Sequence, residues 1–172
     1  MPNLHGFFLT FFYFGNSKKA PGTIGSALAV ALWFVITSYF FANEVSMLNQ
    51  NIFWLVSMAI LFFYGVYASP IYCKQFNEHD HPSIILDEVV GQIIALQLAY
   101  LYVHNGYYEN VALVAYHLIA SFLTFRFFDI FKPSLIGTLD KNLKNGFGVM
   151  LDDLLSGIVA SAVVIIGWWI VI

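Results

Sequence analysis

Long apolar stretches alternate along this chain with short connections that hold nearly all of its charged residues. Crossing a hydrocarbon layer about 30 Å thick takes about 20 mostly apolar helical residues. Segments 24–41, 52–72, 89–103, 111–128 and 154–172 meet or approach that length, which predicts about five transmembrane helices. The third is short and carries Gln92 and Gln97, so it reads either as a span or as a helix packed in the interior. Residues 4–14 are apolar and aromatic but too short to cross, which suits an interfacial or half-inserted helix. The expected fold is all-α, a polytopic membrane helical bundle forming one unit over residues 1–172.

Composition agrees with that pattern. Hydrophobic residues make up 60% and charged residues 10%, against about 25% charged in a soluble domain. The net charge of −3 shows no nucleic-acid footprint, and the single cysteine, Cys73, excludes an internal disulfide. Residues 1–6 lack a basic region before the first apolar stretch and show no cleavage signal, so the chain is read as unprocessed.

Where the charges lie changes the picture more. The cations Lys18, Lys19, Lys74, Arg126, Lys132, Lys141 and Lys144 all fall in alternate connections, on one side of the expected membrane. Glu78, Asp80, Asp87, Glu88, Asp129, Asp140, Asp152 and Asp153 share that side, and only Glu44 and Glu109 lie opposite. The positive-inside rule then puts the N-terminus in the cytoplasm and the C-terminus outside. Trp168, Trp169, Tyr100, Tyr102, Tyr107 and Tyr108 fall near the expected outer boundary, where amphipathic rings prefer to sit.

Three motifs occupy the charged side. In Lys18-Lys19-Ala20-Pro21-Gly22-Thr23-Ile24-Gly25-Ser26, Pro21-Gly22 suits a tight turn and Thr23 suits a helix cap, with two lysines beside anion-attracting amides. In the second, His79-Asp80-His81-Pro82 leads to Asp87-Glu88 at the start of an apolar helix. Adjacent acids project about 100° apart on a helix, which favours one of the two facing a given metal. His79 and His81 are either metal ligands or solvated loop residues. In the third, Arg126 and Asp129 share a helix face, Lys132-Pro133 ends that helix, and Gly146 and Gly148 suggest a flexible loop before Asp152-Asp153 opens the last helix. Topology-setting lysines, acidic caps, an ion pair and a glycine turn would explain each motif singly. Together they point to one polar site.

Several carboxylates without a cysteine cluster favour a hard cation, Mg²⁺ first, which takes few carboxylates plus water and phosphate oxygens. Cations beside it suit phosphoryl transfer on a lipid. The same residues carry a resemblance. Lys19-Ala20-Pro21-Gly22-Thr23-Ile24-Gly25-Ser26, Asp80-His81 with Ile84-Ile85-Leu86-Asp87-Glu88-Val89-Val90-Gly91, and Phe125-Arg126-Phe127-Phe128-Asp129-Ile130-Phe131-Lys132-Pro133 with Gly146-Phe147-Gly148-Val149-Met150-Leu151-Asp152-Asp153 and Gly157 follow in order. Over nearly its whole length the chain resembles the phosphatidylglycerophosphatase A family. It departs at Ser134-Leu135-Ile136, where the family usually has Trp-Pro-Ile, and at Asn145, where the family usually has glycine.

The resemblance implies Mg²⁺-dependent hydrolysis of the terminal phosphomonoester of phosphatidylglycerophosphate, a phospholipid held in the bacterial inner membrane, at the cytoplasmic face. It implies Asp87, Glu88, Asp129, Asp152 and Asp153 as the pool holding metal and activating water, and Lys19, Thr23, Arg126 and Lys132 as phosphate-binding. A phosphatidyltransferase would need an Asp-Gly and Ala-Arg signature that is missing here. A transporter or ion-coupled carrier is the non-enzyme alternative, and it would place ionisable groups at mid-span, where this chain has His117 and little else.

Overall fold

A computed structural model describes residues 4–78, 80–103, 110–132 and 145–171. Among these residues there are six α-helices and no strand. They are α1 (Leu4–Leu9), α2 (Pro21–Ala42), α3 (Met47–Cys73), α4 (Leu86–Val103), α5 (Val111–Phe131) and α6 (Gly146–Val171), with a 3₁₀ turn at Phe14–Asn16. Four of them, α2, α3, α5 and α6, are long and apolar enough to cross a membrane. The chain is a helical membrane bundle, as its hydropathy pattern predicts. Backbone groups in hydrocarbon must be satisfied within their own segment, and helices do that.

The short third segment resolves as the centre of the bundle. α4 touches each of α2, α3, α5 and α6, and Val89, Val90, Ile93, Ala95, Leu96, Ala99 and Tyr100 along it are buried. Its two glutamines could not face lipid unpaired. Gln97 accepts from Trp33 Nε1 at 2.8 Å and donates to Asn51 Oδ1 at 2.8 Å, tying α4 to α2 and α3. His117 of α5 contacts the Leu96 carbonyl at 3.0 Å through Nε2, the interhelical bond expected of a lone histidine in a span. Tyr100 departs from the expected aromatic boundary: it packs edge-on to Trp33, 5.2 Å between centroids, inside the core. Tyr102 is exposed, and Tyr107 and Tyr108 lie outside the described residues.

Each long helix extends past its apolar run at one end or both. α6 starts at Gly146, not at the acids, so Asp152 and Asp153 ride on its second turn. Gly146 and Gly148 are helical rather than a flexible loop. The Asn145 side chain caps the helix by accepting from Gly148 N–H at 3.0 Å, and a Cβ on Gly146 would strike the Val66 carbonyl and the Pro70 ring of α3. Likewise Pro21 and Gly22 are the first two residues of α2 and not a turn. The N-cap is Ala20, in left-handed backbone, so Thr23 is not the cap. Proline tolerates the first helical position because its missing N–H would be unpaired there. α5 runs on to Phe131 and is closed by Lys132 in left-handed backbone. Pro133 lies outside the described residues.

One close approach sets the position of everything else. A Cβ on Gly157 of α6 would meet the Gly91 carbonyl of α4, and a Cβ on Gly91 would come within 2.5 Å of the Asp153 carbonyl. Small residues let helix backbones touch, which in a membrane replaces the missing hydrophobic drive for helix association. Gly157→Leu should cost about 1–3 kcal/mol through overpacking, while the lipid-facing Val163→Ala stays within about 0.5 kcal/mol. Thermal unfolding of the purified protein in detergent measures both, and an unshifted midpoint for Gly157→Leu would show that the two backbones do not meet.

Candidate active site

The charged ends of four helices come together. α2, α4 and α6 begin there and α5 ends there, so their first or last turns share one layer. Asp87, Glu88 and Asp153 each offer a carboxylate oxygen, all within 4.8 Å of one another. Asp87 is 8% exposed and Asp153 3%. The adjacent acids Asp87 and Glu88 both reach this group, against the expectation that helical spacing would let only one do so. Side-chain length is the reason: Asp87 is short and folds back to accept from Glu88 N–H at 3.0 Å, while the longer Glu88 reaches towards α2 and α5.

A cationic side closes the group. The Arg126 Nη1 atom lies 2.5 Å from Asp129 Oδ2 and 3.4 Å from Ser26 Oγ. Arg126 and Asp129 therefore share a helix face as their spacing predicts. Gly22 lies against both the Glu88 carboxylate and Arg126, where any Cβ would strike them. Lys132 pairs with Asp152, joining the end of α5 to the beginning of α6. The Glu88 Oε2 and Arg126 Nε atoms are buried and have no hydrogen-bond partner among the described residues. Buried polar atoms of this kind need an ion, a water or a ligand to offset their desolvation.

Of the residues singled out from the sequence, Asp87, Glu88 and Asp153 form the carboxylate group, Arg126 and Asp129 its neighbouring pair, and Asp152 and Lys132 a flanking ion pair. Lys19 and Thr23 are exposed at the beginning of α2, outside this group. His81 is not part of it either: its Nδ1 contacts Ser83 Oγ at 2.7 Å and its ring lies on Phe76. His79, Asp140, Lys141 and Lys144 lie outside the described residues.

Two contributors were not singled out individually. Ser26 stood only inside the first motif, yet it touches Arg126 across 100 residues of sequence. Gln92 read only as a polar residue in a short segment. It is fully buried, with both amide atoms unpartnered among the described residues. Its position one turn after Glu88 was the available signal, since residues four apart share a helix face.

Three oxygen-donating carboxylates this close, one with an orphaned buried oxygen, fit a small hard cation such as Mg²⁺. Asp87 and Glu88 precede the apolar stretch of α4, and their acidity reports the crowding. Burial first, then the Glu88 charge, holds the Asp87 carboxyl well above the usual range. Burial first, then Asp153 and Asp129, pushes Glu88 up to about 8, while the Asp87 hydrogen bond and Arg126 pull the other way.

Comparison with known proteins gives the same direction. The family model for phosphatidylglycerophosphatase A matches residues 7–168. A phosphatidylglycerophosphatase A from Haemophilus influenzae is 36% identical over 156 residues, covering 90% of this chain and 83% of the relative. One from Escherichia coli is 31% identical over 149 residues, covering 87% and 74%. A putative phosphatidylinositol-3-phosphatase from Bacteroides thetaiotaomicron is 30% identical over 158 residues, covering 91% and 89%. No solved structure matches.

The crowding is measurable without turnover. An unfolded glutamate titrates near pH 4.3, and folded Glu88 at about 8, so in this interval the folded state binds more protons. Stability from this group is full below about pH 4 and falls as pH rises towards 8 when no cation is bound. Thermal unfolding in chelator should show that fall, and Glu88→Gln should lessen it. A wild-type midpoint that does not decline over the interval would contradict the crowded arrangement.

Proposed function

Because the chain belongs to the phosphatidylglycerophosphatase A family, whose members are phosphoric monoester hydrolases, we propose that it hydrolyses the terminal phosphomonoester of phosphatidylglycerophosphate. The products are phosphatidylglycerol and inorganic phosphate. The reading includes Mg²⁺ dependence and a site on the cytoplasmic face of the bacterial inner membrane. The observation that carries it is the Asp87, Glu88 and Asp153 group standing beside Arg126 in a chain of this family. The orientation draws support from the cations, all of which fall in connections or at a helix end on one side.

Asp87, Glu88 and Asp153 would hold the metal, with Asp129 and Asp152 next to them. Bound there, Mg²⁺ would supply charge neutralisation on the phosphate oxygens. Arg126 binds the phosphomonoester with its planar fork. Ser26 and Asp129 hold that fork in one orientation before substrate arrives, which suits bidentate phosphate recognition. Lys132, set by Asp152, adds a second positive charge at the same rim. Lys19 and Thr23, exposed at the entrance, meet the head group as it leaves the lipid surface.

In the reaction, water oxygen forms a bond to phosphorus and the bond from phosphorus to the glycerol oxygen breaks. A carboxylate of the group takes the proton from water and returns it to the leaving oxygen. The acyl chains stay in the bilayer throughout.

A second phospholipid has an observation in its favour, since one relative is described as a putative phosphatidylinositol-3-phosphatase. A carrier is less well supported. Among the described residues, the ionisable group within the membrane stretch of a span is His117, which is occupied by a backbone carbonyl.

Asp153→Asn and Asp129→Asn should each lower phosphate release by about a hundredfold or more while the protein still inserts. Chelation should abolish release and Mg²⁺ restore it. Phosphate release from phosphatidylglycerophosphate, phosphatidylinositol 3-phosphate and phosphatidic acid, with and without Mg²⁺, measures all of this. Near-normal turnover in either variant would remove that residue from the site, and metal-independent release would discard the Mg²⁺ reading.

A further inference from the structure

Among the described residues, apolar grooves open on the sides of the bundle, and three of them differ in what stands at their charged end. One of about 400 Å³ between α3, α4 and α6 stops at Val90, packed with the fully buried Met150 and with Phe62, whose ring meets Phe147 at 5.8 Å. Another of about 350 Å³ lies between α3 and the N-terminal hairpin and stops at Leu86, which is buried among Leu9, Tyr72 and Ile84. Among the described residues, no cation lies within one helical turn of either lining along its helix.

The third, about 290 Å³, lies between α2 and α5 and is lined by Ala27, Val30, Leu118, Ile119, Phe122 and Leu123. Its charged end is of another kind. Ala27 follows Ser26 directly, and Phe122 precedes Arg126 by one helical turn, so the groove's lining ends within one turn of the Arg126–Ser26 contact. Beyond that contact lie Gly22 and the Glu88 carboxylate.

We infer that the α2–α5 groove is the acyl-chain subsite of the enzyme, holding one fatty-acyl tail of the lipid whose phosphate sits on Arg126. The inference rests on the phosphatase reading and adds to it the part of the substrate that selects a membrane lipid over a soluble phosphate ester. Depth supports it. From Arg126 to Leu118 is eight residues, about 12 Å along the helix, close to one leaflet of a hydrocarbon core about 30 Å thick. Shape supports it as well. Ala27 is small and exposed on the groove side, while Ala29 and Trp33 on the other face of α2 are fully buried against α4. Charge supports it too, because an anionic head at Arg126 and an apolar tail beside Phe122 match the two ends of one phospholipid.

Two measurements on the full-length enzyme in vesicles test this. In the first, phosphatidylglycerophosphate carrying a diazirine midway along one acyl chain is photolysed with the wild-type protein. The label should fall on residues 27–30 and 118–123, and unlabelled phosphatidylglycerophosphate should displace it where phosphatidylcholine does not. Label confined to α3, or label that phosphatidylcholine displaces equally, overturns the proposal.

In the second, Ala27→Phe fills the groove and Ala59→Phe fills the larger groove between α3, α4 and α6. Ala27→Phe should cut the ratio of kcat/KM for dioleoyl over dihexanoyl substrate by about tenfold or more, the equivalent of losing two buried methylenes. Ala59→Phe should leave the ratio unchanged. An unaltered ratio in Ala27→Phe, with the variant folded, overturns the groove. Should Ala27→Phe fail to fold, the photolabel decides. If the wild type releases no phosphate from any lipid, the hydrolase reading fails separately, and competed label at α2 and α5 still upholds a lipid subsite.

Discussion

The contact between the α4 and α6 backbones at Gly91 and Gly157 is the constraint on which the rest of the structure depends. It allows Asp153 to approach Asp87 and Glu88, because the Asp153 carbonyl itself lies over Gly91. Carboxylates repel one another, and burial strengthens the repulsion by lowering the local dielectric. No force among those side chains would draw them together. The apolar faces of α4 and α6 do so, aided by the satisfied polar ties of Gln97 and His117 lower in the bundle. Packing energy elsewhere is thereby stored as a crowded acidic site, the condition under which a divalent cation gains most from binding.

The arrangement also explains why the central helix is the least apolar of the long ones. A helix surrounded by four others need not match the lipid, and α4 carries two acids and two glutamines at no cost in membrane exposure. Glu88 and Gln92 lie one turn apart along it, both with buried polar atoms that lack partners among the described residues. Orphaned groups of this kind gather at functional sites, where ligands complete them. The lipid-facing helices, by contrast, keep their charged residues at the ends, where Arg126, Asp129, Asp152 and Lys132 meet in pairs.

Helix ends, rather than loops, carry the chemistry. Treating charged residues as the boundaries of apolar segments put Asp152 and Asp153 at the opening of a helix and Gly146 in a loop. In the structure the helix runs through all of them. The reason is physical: backbone hydrogen bonding continues across a charged residue without penalty when its side chain has somewhere to go, and the polar layer provides that place. A site on rigid helical turns holds its groups more tightly than one on loops. Lys19, just before the first turn of α2, and Thr23, within it, are exposed at the same end of the bundle.

Much was legible in the chain alone. The apolar runs determined a helical bundle because a membrane offers no other partner for backbone N–H and C=O groups. The one-sided distribution of Lys and Arg determined that charge gathers in one layer, and the three motifs named the acids and bases in it. Arg126 with Asp129 followed from spacing, since three residues make nearly one helical turn. Spacing could not supply the rest, because contacts across α2, α4, α5 and α6 depend on which faces pack and how closely. Only the folded bundle brought Ser26 to Arg126, let both Asp87 and Glu88 reach Asp153, sank Tyr100 into the core and opened the α2–α5 groove above the cation. Those follow from glycine-sized clearances between helices, and a linear pattern of polar and apolar residues does not record distances between segments.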